Sequence, residues 1–387
     1  MSSHPQPVPE SAPAAAGTTY AAAGVDTAAG DRAVELMRAS VAATMTPAVV
    51  GEVGGFAGLV DVSALRDYRR PLLATSTDGV GTKVAIAQAL GVHDTIGQDL
   101  VGMVVDDIVV VGARPLLMTD YIACGRVVPE RIADIVRGVA TACAAVGTPL
   151  LGGETAEHPG LMEADEYDLA GAATGVVEAD RVLGPERVRP GDVLIALASS
   201  GLHSNGYSLV RRVIADAGWG LERQVPELGR TLGEELLEPT RLYTKACLAM
   251  IGALGSEAAP SPIHALSHVT GGGLAANLAR VLPAGTIADV DRSGWVIPPV
   301  FDLVRHLGSV PWEDLEGTLN LGVGMVAVVA PDSAEAVLRV AQGSEMPAWV
   351  LGGVHEAQAY EPQGRVVAGT KGVDGGAVDV FGRYRTA

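Results

Sequence analysis

Apolar runs that end in loops rich in glycine and hydroxyl residues recur along this chain, and a segment of helical character follows most of them. The unit is clearest in DVLIALASSGLHSNGYSLVRRVIADAG at 192–218. It returns in IHALSHVTGGGLAANLARVLP at 263–283 and in LNLGVGMVAVVAPDSAEAVLRVAQG at 319–343. A short apolar run favours a strand, and apolar residues three or four apart favour a helix. The pattern therefore predicts an α/β protein.

The first half of the chain alternates in the same way. PLLATST at 71–77 and PLLMTDYIA at 115–123 predict strands, and apolar residues recur at helical spacing through 93–113. A helix is expected over 129–147, because a proline occupies its first turn and a glycine ends it. The remaining helix-like run, RAVELMRASVAAT, follows a glycine-punctuated entry at 20–31.

A polar segment with two prolines, RVLGPERVRPGD at 181–192, is the natural place for a domain boundary. The first 18 residues are rich in Ala, Pro and Ser, without the basic and apolar regions of a signal peptide. The expected organisation is a disordered tail at 1–18, an N-terminal domain at 19–188, a C-terminal domain at 189–360 and an extension at 361–387.

The net charge is −18 and the pI is about 4.8, which disfavours nucleic acid and anionic membranes as partners. A phosphate ligand would need local positive charge from helix N-termini, a divalent cation or placed basic side chains. Lysine occurs only at Lys83, Lys245 and Lys371. The three cysteines show no ligand spacing and fit buried thiols in a reducing cytoplasm, and no apolar run reaches 18 residues.

The stretch STDGVGTK at 76–83 combines an Asp, two glycines and a Lys after a strand-like run. A Walker loop needs Gly before the Lys and a hydroxyl residue after it, whereas here Thr82 precedes Lys83 and Val84 follows. The stretch is therefore not a P-loop. Asp78 at the strand end, with glycines after it, can face a ligand without crowding.

Further acids follow on the next predicted helix and strand. Asp99 and Asp106 are two turns apart and share a helix face, Asp107 is adjacent, and Glu154 follows the strand TPLLGG. Carboxylates of this kind make a plausible Mg²⁺–phosphate site. A solvated helix face is the alternative for Asp99 and Asp107. For Asp78 and Asp106, which lie among apolar residues or glycine, the ligand interpretation is preferred.

Three other motifs can carry chemistry. GLHSNGYS at 201–208 is a strand-to-helix loop in which Ser204 or Asn205 can cap the helix and His203 can act as acid or base, or simply bond the loop. HVTGGG at 268–273 lets backbone approach a ligand, or makes a tight, closely packed turn. EPTRLYTK predicts a helix on which Arg241 and Lys245 share a face, to hold phosphate or to pair with Glu238.

These motifs stand in the order YAAAGVDTAAGD, GGFAGL, STDGVGTK, HDTIGQDLVGMVVDDIVVVGARPL, LLGGETAEHPG, YDLAGAATGVVE, SSGLHSNGYSLVR, PTRLYTK, HVTGGGLAANLARVLP and NLGVGM. In that order the chain, from about residue 20 to about residue 357, resembles the phosphoribosylformylglycinamidine cyclo-ligase (aminoimidazole ribonucleotide synthetase) family. DGVGTK, GGETAE and HSNGYSLVR together are highly specific.

The resemblance implies two α/β domains with mixed sheets and helices on one face. It also implies N-terminal sheets that join across a homodimer, and a cytoplasmic location. The implied reaction closes formylglycinamidine ribonucleotide to 5-aminoimidazole ribonucleotide with ATP and Mg²⁺, through a phosphorylated amide, in purine biosynthesis. The need for a monovalent ion such as K⁺ stays open.

The resemblance also implies roles for individual residues. The catalytic residues would be His203, Ser204, Asn205 and Lys83, with Lys83 on phosphate oxygens and His203 the candidate general acid or base. The metal would be held by Asp78, Asp106, Asp107 and Glu154. Gly24–Gly30 would form a mobile cover over the phosphates. The ATP and phosphate contacts would be Gly24, Asp26, Gly30, Asp78, Gly79, Gly81, Thr82, Lys83, Gly152, Gly153, Glu154, His268, Thr270, Gly271 and Gly272, with Gly273 beside them.

The chain departs from the family pattern at three positions: Asp106 stands where Asn is usual, His158 where Met is usual, and Leu321 where Cys is usual. The extra acid leaves open whether Asp106 or Asp107 meets the metal. Two alternatives remain: a sister ATP-dependent enzyme with another small substrate, against which HSNGYS weighs, and a non-enzymatic nucleotide-binding paralogue, against which Asp78 and Lys83 weigh.

Overall fold

The computed structural model describes residues 24–51, 54–255, 261–369 and 375–386. The disordered tail expected at 1–18 and Lys371 lie outside the described residues. The α-helices are α1 Thr27–Ala42, α2 Val84–Leu90, α3 Thr95–Val109, α4 Pro129–Val146, α5 Tyr207–Asp216, α6 Leu232–Leu236, α7 Thr244–Leu254, α8 Gly273–Ala279, α9 Pro299–Gly308, α10 Trp312–Glu316 and α11 Ala334–Gly343.

The strands alternate with these helices along the chain. They are β1 Val49–Val50, β2 Leu59–Val60, β3 Pro71–Gly79, β4 Arg114–Cys124, β5 Leu150–Glu157, β6 Tyr167–Glu178, β7 Val193–Ala198, β8 Gln224–Val225, β9 Arg230–Thr231, β10 Ile263–His268, β11 Thr286–Asp291, β12 Val296–Ile297, β13 Val323–Val329, β14 Ala348–Glu356, β15 Arg365–Ala368, β16 Ala377–Phe381 and β17 Arg385–Thr386.

The N-terminal half forms a four-stranded mixed sheet in the order β3-β6-β4-β5, in which only β4 and β5 are parallel. Helices α1, α3 and α4 pack together, and α3 and α4 cover one face of this sheet. Met118 and Ile122 of β4 are buried on that face, whereas Tyr121 of the same strand is 40% exposed and Leu73 of β3 is 66% exposed. Alternate side chains point to opposite faces, so the second face is open in the single chain.

The C-terminal half forms a seven-stranded sheet in the order β10-β13-β7-β14-β11-β16-β15. Neighbouring strands are antiparallel except β11 and β16, which are parallel. Strands β15 and β16 come from the segment that the sequence analysis set apart as an extension. The exact domain boundaries stay a prediction, but this segment is part of the C-terminal sheet.

The predicted strands at 71–77 and 115–123 are confirmed as β3 and β4, and the predicted helices at 93–113 and 129–147 as α3 and α4. Gly147 follows α4 in the left-handed conformation, with φ 70°, as a glycine stop requires. None of the helices in the described residues is long and apolar enough to cross a membrane.

Two predictions of local structure are wrong. Helix α1 begins at Thr27, because the Asp26 carboxylate accepts hydrogen bonds from Ala28 N at 3.0 Å and Ala29 N at 3.1 Å. Residue 30 is therefore inside a helix and not in a mobile glycine cover. Residues 238–243 are not helical, because this segment crosses between the two halves and its backbone donors bond to side chains of α3.

Helices α3 and α4 cross so closely that glycine is needed on both. A Cβ at Gly97 would lie 2.1 Å from Val139 N, and one at Gly138 would lie 1.9 Å from Asp94 O. Both contacts are with backbone atoms, which cannot move aside without shifting a helix.

We therefore expect Gly138→Ala to lower the free energy of unfolding by about 3 kcal/mol, because the new methyl group forces the two helices apart. Gly252→Ala in α7 is the matched control, since no atom lies within 4 Å of the position that its Cβ would take. That control should gain up to about 1 kcal/mol through helix propensity. Urea unfolding followed by circular dichroism measures both changes, and equal stabilities would contradict the close crossing.

Candidate functional site

Two carboxylates on one face of α3 hold the segment 238–244, which joins the two halves of the molecule. Asp99 Oδ1 accepts from Thr240 N at 2.8 Å and from Thr240 Oγ1 at 2.6 Å. Two turns later, Asp106 accepts from Tyr243 N at 3.0 Å and from Thr244 Oγ1 at 2.7 Å. Both carboxylates are fully buried, so the solvated-face alternative is wrong for Asp99. These bonds fix the course of the segment past α3.

Lys83 belongs to the same buried network. Its Nζ donates to Asp99 Oδ1 at 2.9 Å and to Glu238 O at 2.7 Å, and neither side chain of the ion pair is exposed. Burial lowers the pKa of Lys83, and the charge of Asp99 opposes this effect. The expected contact between Lys83 and phosphate oxygens is not the contact in this structure. Lys83 instead ties the loop after β3 to the segment before α7.

Asp106 is also engaged by the protein. Burial raises its pKa to about 6, against the opposing effects of His268 and of its hydrogen bonds to Thr244 and Tyr243. Because both of its oxygens accept from backbone or hydroxyl donors, the expectation that Asp106 meets a metal is not supported. Its neighbour Asp107 is 41% exposed at the side chain and faces the other way around the helix.

Asp78 lies next to the last residue of β3, as the sequence suggested. Burial raises its pKa, the bond from Gly79 N at 2.8 Å lowers it, and the nearby charge of Asp107 raises it further. His268 acts in the opposite direction. Asp78 and Asp107 are thus two like charges in one place, which a cation would stabilise.

Glu154 does not join them. It is opposite Tyr121 on the exposed face of the sheet, whereas Asp78 is in register with Gly171, Asp120 and Gly153 on the helix-covered face. Among the described residues, no three His, Cys, Asp or Glu side chains are grouped as a metal site. The predicted four-carboxylate set is therefore reduced to Asp78 and Asp107 in the single chain.

Gly152 and Gly153 lie on β5, and the second has a structural reason to be glycine. A Cβ there would lie 1.7 Å from Asp120 Oδ1, so the side chain of Asp120 fills that space. Burial raises the pKa of Asp120 to about 7, and its Oδ2 is buried without a hydrogen-bond partner. Nucleotide contacts at Gly152 and Gly153 stay predictions.

His268 ends β10 and faces Asp107. Its Nδ1 lies 2.9 Å from Asp107 Oδ1, while its Nε2 is buried without a partner. Burial lowers the pKa of His268, but the bond to Asp107 and the charges of Asp106, Asp107 and Asp78 outweigh it and raise the pKa above its ordinary value. The imidazolium form is favoured, and its free N–H is positioned to donate to a ligand.

His203 is the uncharged counterpart of His268. Burial, together with the positive charges of His268, Lys83 and Arg241, holds its pKa well below the ordinary range. Its Nε2 accepts from Ser200 N at 3.2 Å, so Nδ1 carries the proton, and that Nδ1 is buried without a partner. The residue has φ 62°, a left-handed conformation that few non-glycine residues adopt.

The two residues after His203 do not cap α5. Gly206 is the N-cap and no side chain bonds the first turn. Ser204 Oγ lies 3.2 Å from Thr240 Oγ1, and Asn205 Nδ2 donates to Met103 Sδ at 3.6 Å. The loop is therefore held by contacts with α3 and the joining segment, and Asn205 Oδ1 lies beside the turn at Gly271.

The turn 270–273 precedes α8 and packs tightly. Gly272 and Gly273 have φ values of 103° and 74°, and a Cβ at Gly273 would lie 1.7 Å from Glu316 O. Asn277 Nδ2 donates to Thr270 O at 3.2 Å and Gly273 O at 2.8 Å. The tight-turn interpretation is thus confirmed, and ligand contacts at Thr270, Gly271 and Gly272 stay predictions.

The loop after β3 keeps backbone free to approach a ligand. Gly81 has φ 70° and no atom lies within 4 Å of the position that a Cβ would take there, while Gly79 N bonds Asp78. Thr82 Oγ1 lies 3.3 Å from Ser208 Oγ, in the first turn of the helix α5 that follows the loop carrying His203. Contacts of Gly79, Gly81 and Thr82 with phosphate stay predictions.

The expected cover at Gly24–Gly30 is a helix start. Gly24 has φ 98° and lies beside Pro159, and Asp26 N donates to Glu157 Oε2 at 2.7 Å. Since Asp26 caps α1, its carboxylate is already bonded to backbone donors. Nucleotide contacts of Gly24, Asp26 and Gly30 are therefore not supported by this arrangement of the chain.

The centre of the site was not predicted from the sequence. Tyr243 is fully buried between His203 and His268, with ring centroids 6.0 and 6.2 Å away, and its OH donates to Ala198 O at 2.8 Å. The absence of a side chain at Gly324 makes room for it. Arg241 Nε is buried without a partner nearby. The motif PTRLYTK predicts Arg241 as a candidate phosphate ligand but carries no signal for Tyr243, because the expected helix places Arg241 and Lys245 on one face.

The site therefore combines three buried nitrogen atoms that lack protein partners, on His203, His268 and Arg241, with the carboxylates of Asp78 and Asp107. Buried donors without partners are rare in folded proteins and indicate a bound ligand or water. Donors of this kind bind oxyanions or amide oxygens, and the carboxylates suit a hard cation.

Two family models match the chain. That of the AIR synthase related protein N-terminal domain matches residues 60–177, and that of the C-terminal domain matches residues 189–365. A curated phosphoribosylformylglycinamidine cyclo-ligase from Geobacillus thermodenitrificans (strain NG80-2) is 47% identical over 338 residues, which cover 87% of this chain and 95% of that protein. One from Anaeromyxobacter sp. (strain Fw109-5) is 47% identical over 335 residues, or 86% and 95% of the two chains.

Solved structures share the fold at low identity. Thiamine-monophosphate kinase from Stenotrophomonas maltophilia K279a has a TM-score of 0.61 and 19% identity, covering 90% of this chain and 96% of that one. Hydrogenase maturation protein HypE in complex with ATP has a TM-score of 0.57 and 19% identity, covering 84% and 86%.

The burial of Lys83 gives a direct test of its role. Lys83→Met leaves the Asp99 carboxylate buried without its cation, so we expect it to lower the free energy of unfolding by about 3–5 kcal/mol. Adding Asp99→Asn should recover part of this loss, because an amide oxygen still accepts from Thr240. Urea unfolding measures both variants. A Lys83→Met protein as stable as the wild type, but unable to bind nucleotide, would restore the phosphate-contact role.

Proposed function

The chain belongs to the family of AIR synthase related proteins, and on that premise we propose that it is a phosphoribosylformylglycinamidine cyclo-ligase. In this function it closes formylglycinamidine ribonucleotide to 5-aminoimidazole ribonucleotide and converts ATP to ADP and phosphate, a step of purine biosynthesis. The similarity to curated cyclo-ligases extends over 95% of the length of those proteins.

The observation that carries the proposal is the group of unpartnered buried donors around Tyr243. His203, His268 and Arg241 each present a nitrogen atom without a protein partner, and the pKa of His268 is raised by its carboxylate neighbours. The reaction brings an amide oxygen and a phosphoryl group together, and both are hydrogen-bond acceptors. A site with donors on one side and carboxylates on the other suits this pair of ligands.

The chemistry begins with a poor electrophile, because the formyl amide has no good leaving group. Transfer of the γ-phosphoryl group from ATP to the amide oxygen releases ADP and gives an iminophosphate. The substrate's own nitrogen then attacks the same carbon, and phosphate leaves as the ring closes. Holding the nitrogen and the activated carbon together supplies an effective molarity of about 10⁵ M or more. The protein therefore mainly positions the substrates and neutralises the charge of the phosphates.

His268 is suited to the phosphoryl group. Its imidazolium is stabilised by Asp107, and its unpartnered Nε2–H would donate to a phosphate oxygen. His203 is held neutral and would donate Nδ1–H to the amide oxygen, which makes it a hydrogen-bond donor more than a proton carrier. Ser204 and Asn205 would complete this side, and Arg241 would bind the ribonucleotide phosphate.

The residues present fit a magnesium ion. Asp78 and Asp107 would supply hard oxygen ligands, and the charge of Asp107 raises the pKa of Asp78, an effect that a bound cation would oppose together with His268. Mg²⁺ would supply positive charge to the phosphate oxygens of ATP. Gly79, Gly81 and Thr82 would donate backbone or hydroxyl hydrogen bonds next to it. We assign K⁺ to no residue.

We infer a homodimer in the cytoplasm. The open face of the N-terminal sheet carries Leu73, Tyr121 and three threonines, Thr75, Thr77 and Thr119, and sheets of this kind are normally covered on at least one further face by another chain or layer. All three cysteines are free and buried, which fits a reducing compartment. The mass of the protein in solution, from light scattering, decides between monomer and dimer.

The first experiment mixes purified protein with formylglycinamidine ribonucleotide, ATP and Mg²⁺, and detects aminoimidazole ribonucleotide by its diazo colour. Colour that depends on both ATP and Mg²⁺ is the expected result. No colour, from protein that still binds ATP in a thermal-shift measurement, would reject the cyclo-ligase and favour a sister substrate or an inactive paralogue.

Asp78→Asn should lower kcat about a hundredfold or more without unfolding the protein, because it removes one carboxylate of the cation pair. Asp61→Asn is the control: Asp61 is exposed, and its carboxylate also accepts from a nearby backbone N–H, that of Ser63 at 2.8 Å, as Asp78 accepts from Gly79 N at 2.8 Å. His203→Ala should have a similar effect on kcat. Near-normal turnover in either site variant would remove that residue from the mechanism.

A further inference from the structure

The last strands of the chain lie beyond the region that the family model matches. That match ends at residue 365, whereas β16 and β17 follow it. Strand β16 is inserted between β11 and β15, and β17 pairs with β12. The terminal segment 375–386 is thus an ordered part of the C-terminal half that the shared family region does not contain.

Tyr384 is the main anchor of this segment. Its ring packs on Trp312 with centroids 4.7 Å apart and on Trp295 with centroids 5.6 Å apart. Its OH donates to Glu316 Oε1 at 3.0 Å. Burial and the charge of Glu316 raise the pKa of Tyr384 far above its usual value, so the phenol stays a donor at all relevant pH values.

Glu316 collects several contacts at the end of α10. Its side chain is only 5% exposed, and it accepts from Arg292 Nε at 2.5 Å and from Arg365 Nη2 at 2.6 Å as well as from Tyr384. Arg292 Nη1 also donates to Val380 O, at 3.0 Å. The terminal segment therefore reaches Glu316 by two routes, one direct and one through Arg292.

The backbone that follows Glu316 supports both glycine turns of the candidate site. Glu316 O is the atom that a Cβ at Gly273 would meet at 1.7 Å, and a Cβ at Gly206 would lie 2.4 Å from Leu319 Cδ2. Asn320 Nδ2 donates to Gly201 O at 2.9 Å. The stretch 316–320 therefore contacts the turn after His268 and the loop that carries His203.

We propose that the terminal segment 375–386 is a brace that positions the two turns through Glu316, and that Tyr384 is its positioning residue. This proposal rests on the proposed function for its kinetic readout only. Loss of the brace removes no catalytic side chain but lets α10 and the two turns move, so His203 and His268 lose the alignment on which the rate of ring closure depends.

The test uses three variants of the full protein and one control. Tyr384→Phe removes the hydroxyl and keeps the ring, Tyr384→Ala removes both, and a stop after Phe381 removes the end of the segment but keeps β16. Tyr167→Phe is the control, because the OH of the buried Tyr167 also makes a side-chain hydrogen bond, with His93 Nδ1 at 2.9 Å, but lies in the N-terminal half and outside segment 375–386.

Hydrogen exchange and kinetics are measured on all four proteins. We expect amides at 201–206 and 270–274 to exchange faster in Tyr384→Ala and in the shortened chain, and not in Tyr167→Phe. We expect kcat/KM to fall about tenfold in these two variants, about threefold in Tyr384→Phe, and not in the control.

Wild-type exchange at both turns in Tyr384→Ala and in the shortened chain would overturn the brace. So would a Tyr167→Phe protein that loses as much kcat/KM as Tyr384→Phe, because activity would then follow general stability. If the wild-type protein itself does not cyclise the substrate, the proposed function fails, and the exchange comparison still decides the brace.

Discussion

The arrangement of the whole site depends on one face of α3. Two buried carboxylates on that face, at Asp99 and Asp106, accept the backbone and hydroxyl donors of segment 238–244, and Lys83 neutralises the first of them. A buried charge of this kind is tolerated only when it is fully bonded. The requirement places the segment in one register, and with it Arg241 and Tyr243. The two halves of the molecule therefore meet in a defined geometry.

This constraint also explains how a chain with net charge −18 can present a site for polyanions. Asp99 and Asp106 accept hydrogen bonds from protein donors and Asp107 pairs with His268, whereas the buried Arg241 Nε has no partner. The electrostatic potential at the site is set by charged groups within a few ångströms and by their burial, because salt screens the charges on the distant surface. An acidic protein is thus compatible with ATP as a substrate.

Much of the fold could be predicted from sequence, because periodicity and glycine placement report local structure directly. Helix α4 is an example, with Pro129 at its start and Gly147 at its end. The match to both family models and the likeness to solved structures confirm the two-part α/β fold.

The roles of charged residues were harder to predict. Lys83 and Asp99 are sixteen positions apart and both bond to a segment more than 130 positions later, so no local pattern shows that they are paired. The segment with Arg241 and Tyr243 is predicted to be helical from its local sequence. Its backbone donors bond to residues that are distant in the sequence, and these bonds override the local helix propensity. The register of the sheet, which separates Glu154 from Asp78, is likewise a tertiary property.

The position of β16 has a consequence for synthesis of the protein on the ribosome. Because β16 lies between β11 and β15, the C-terminal sheet cannot reach its final strand order until residue 381 has left the exit tunnel. The N-terminal sheet needs no residue beyond 178 and can form much earlier. A nascent chain therefore carries a finished half beside an unfinished one from the time residue 178 has emerged until residue 381 has emerged.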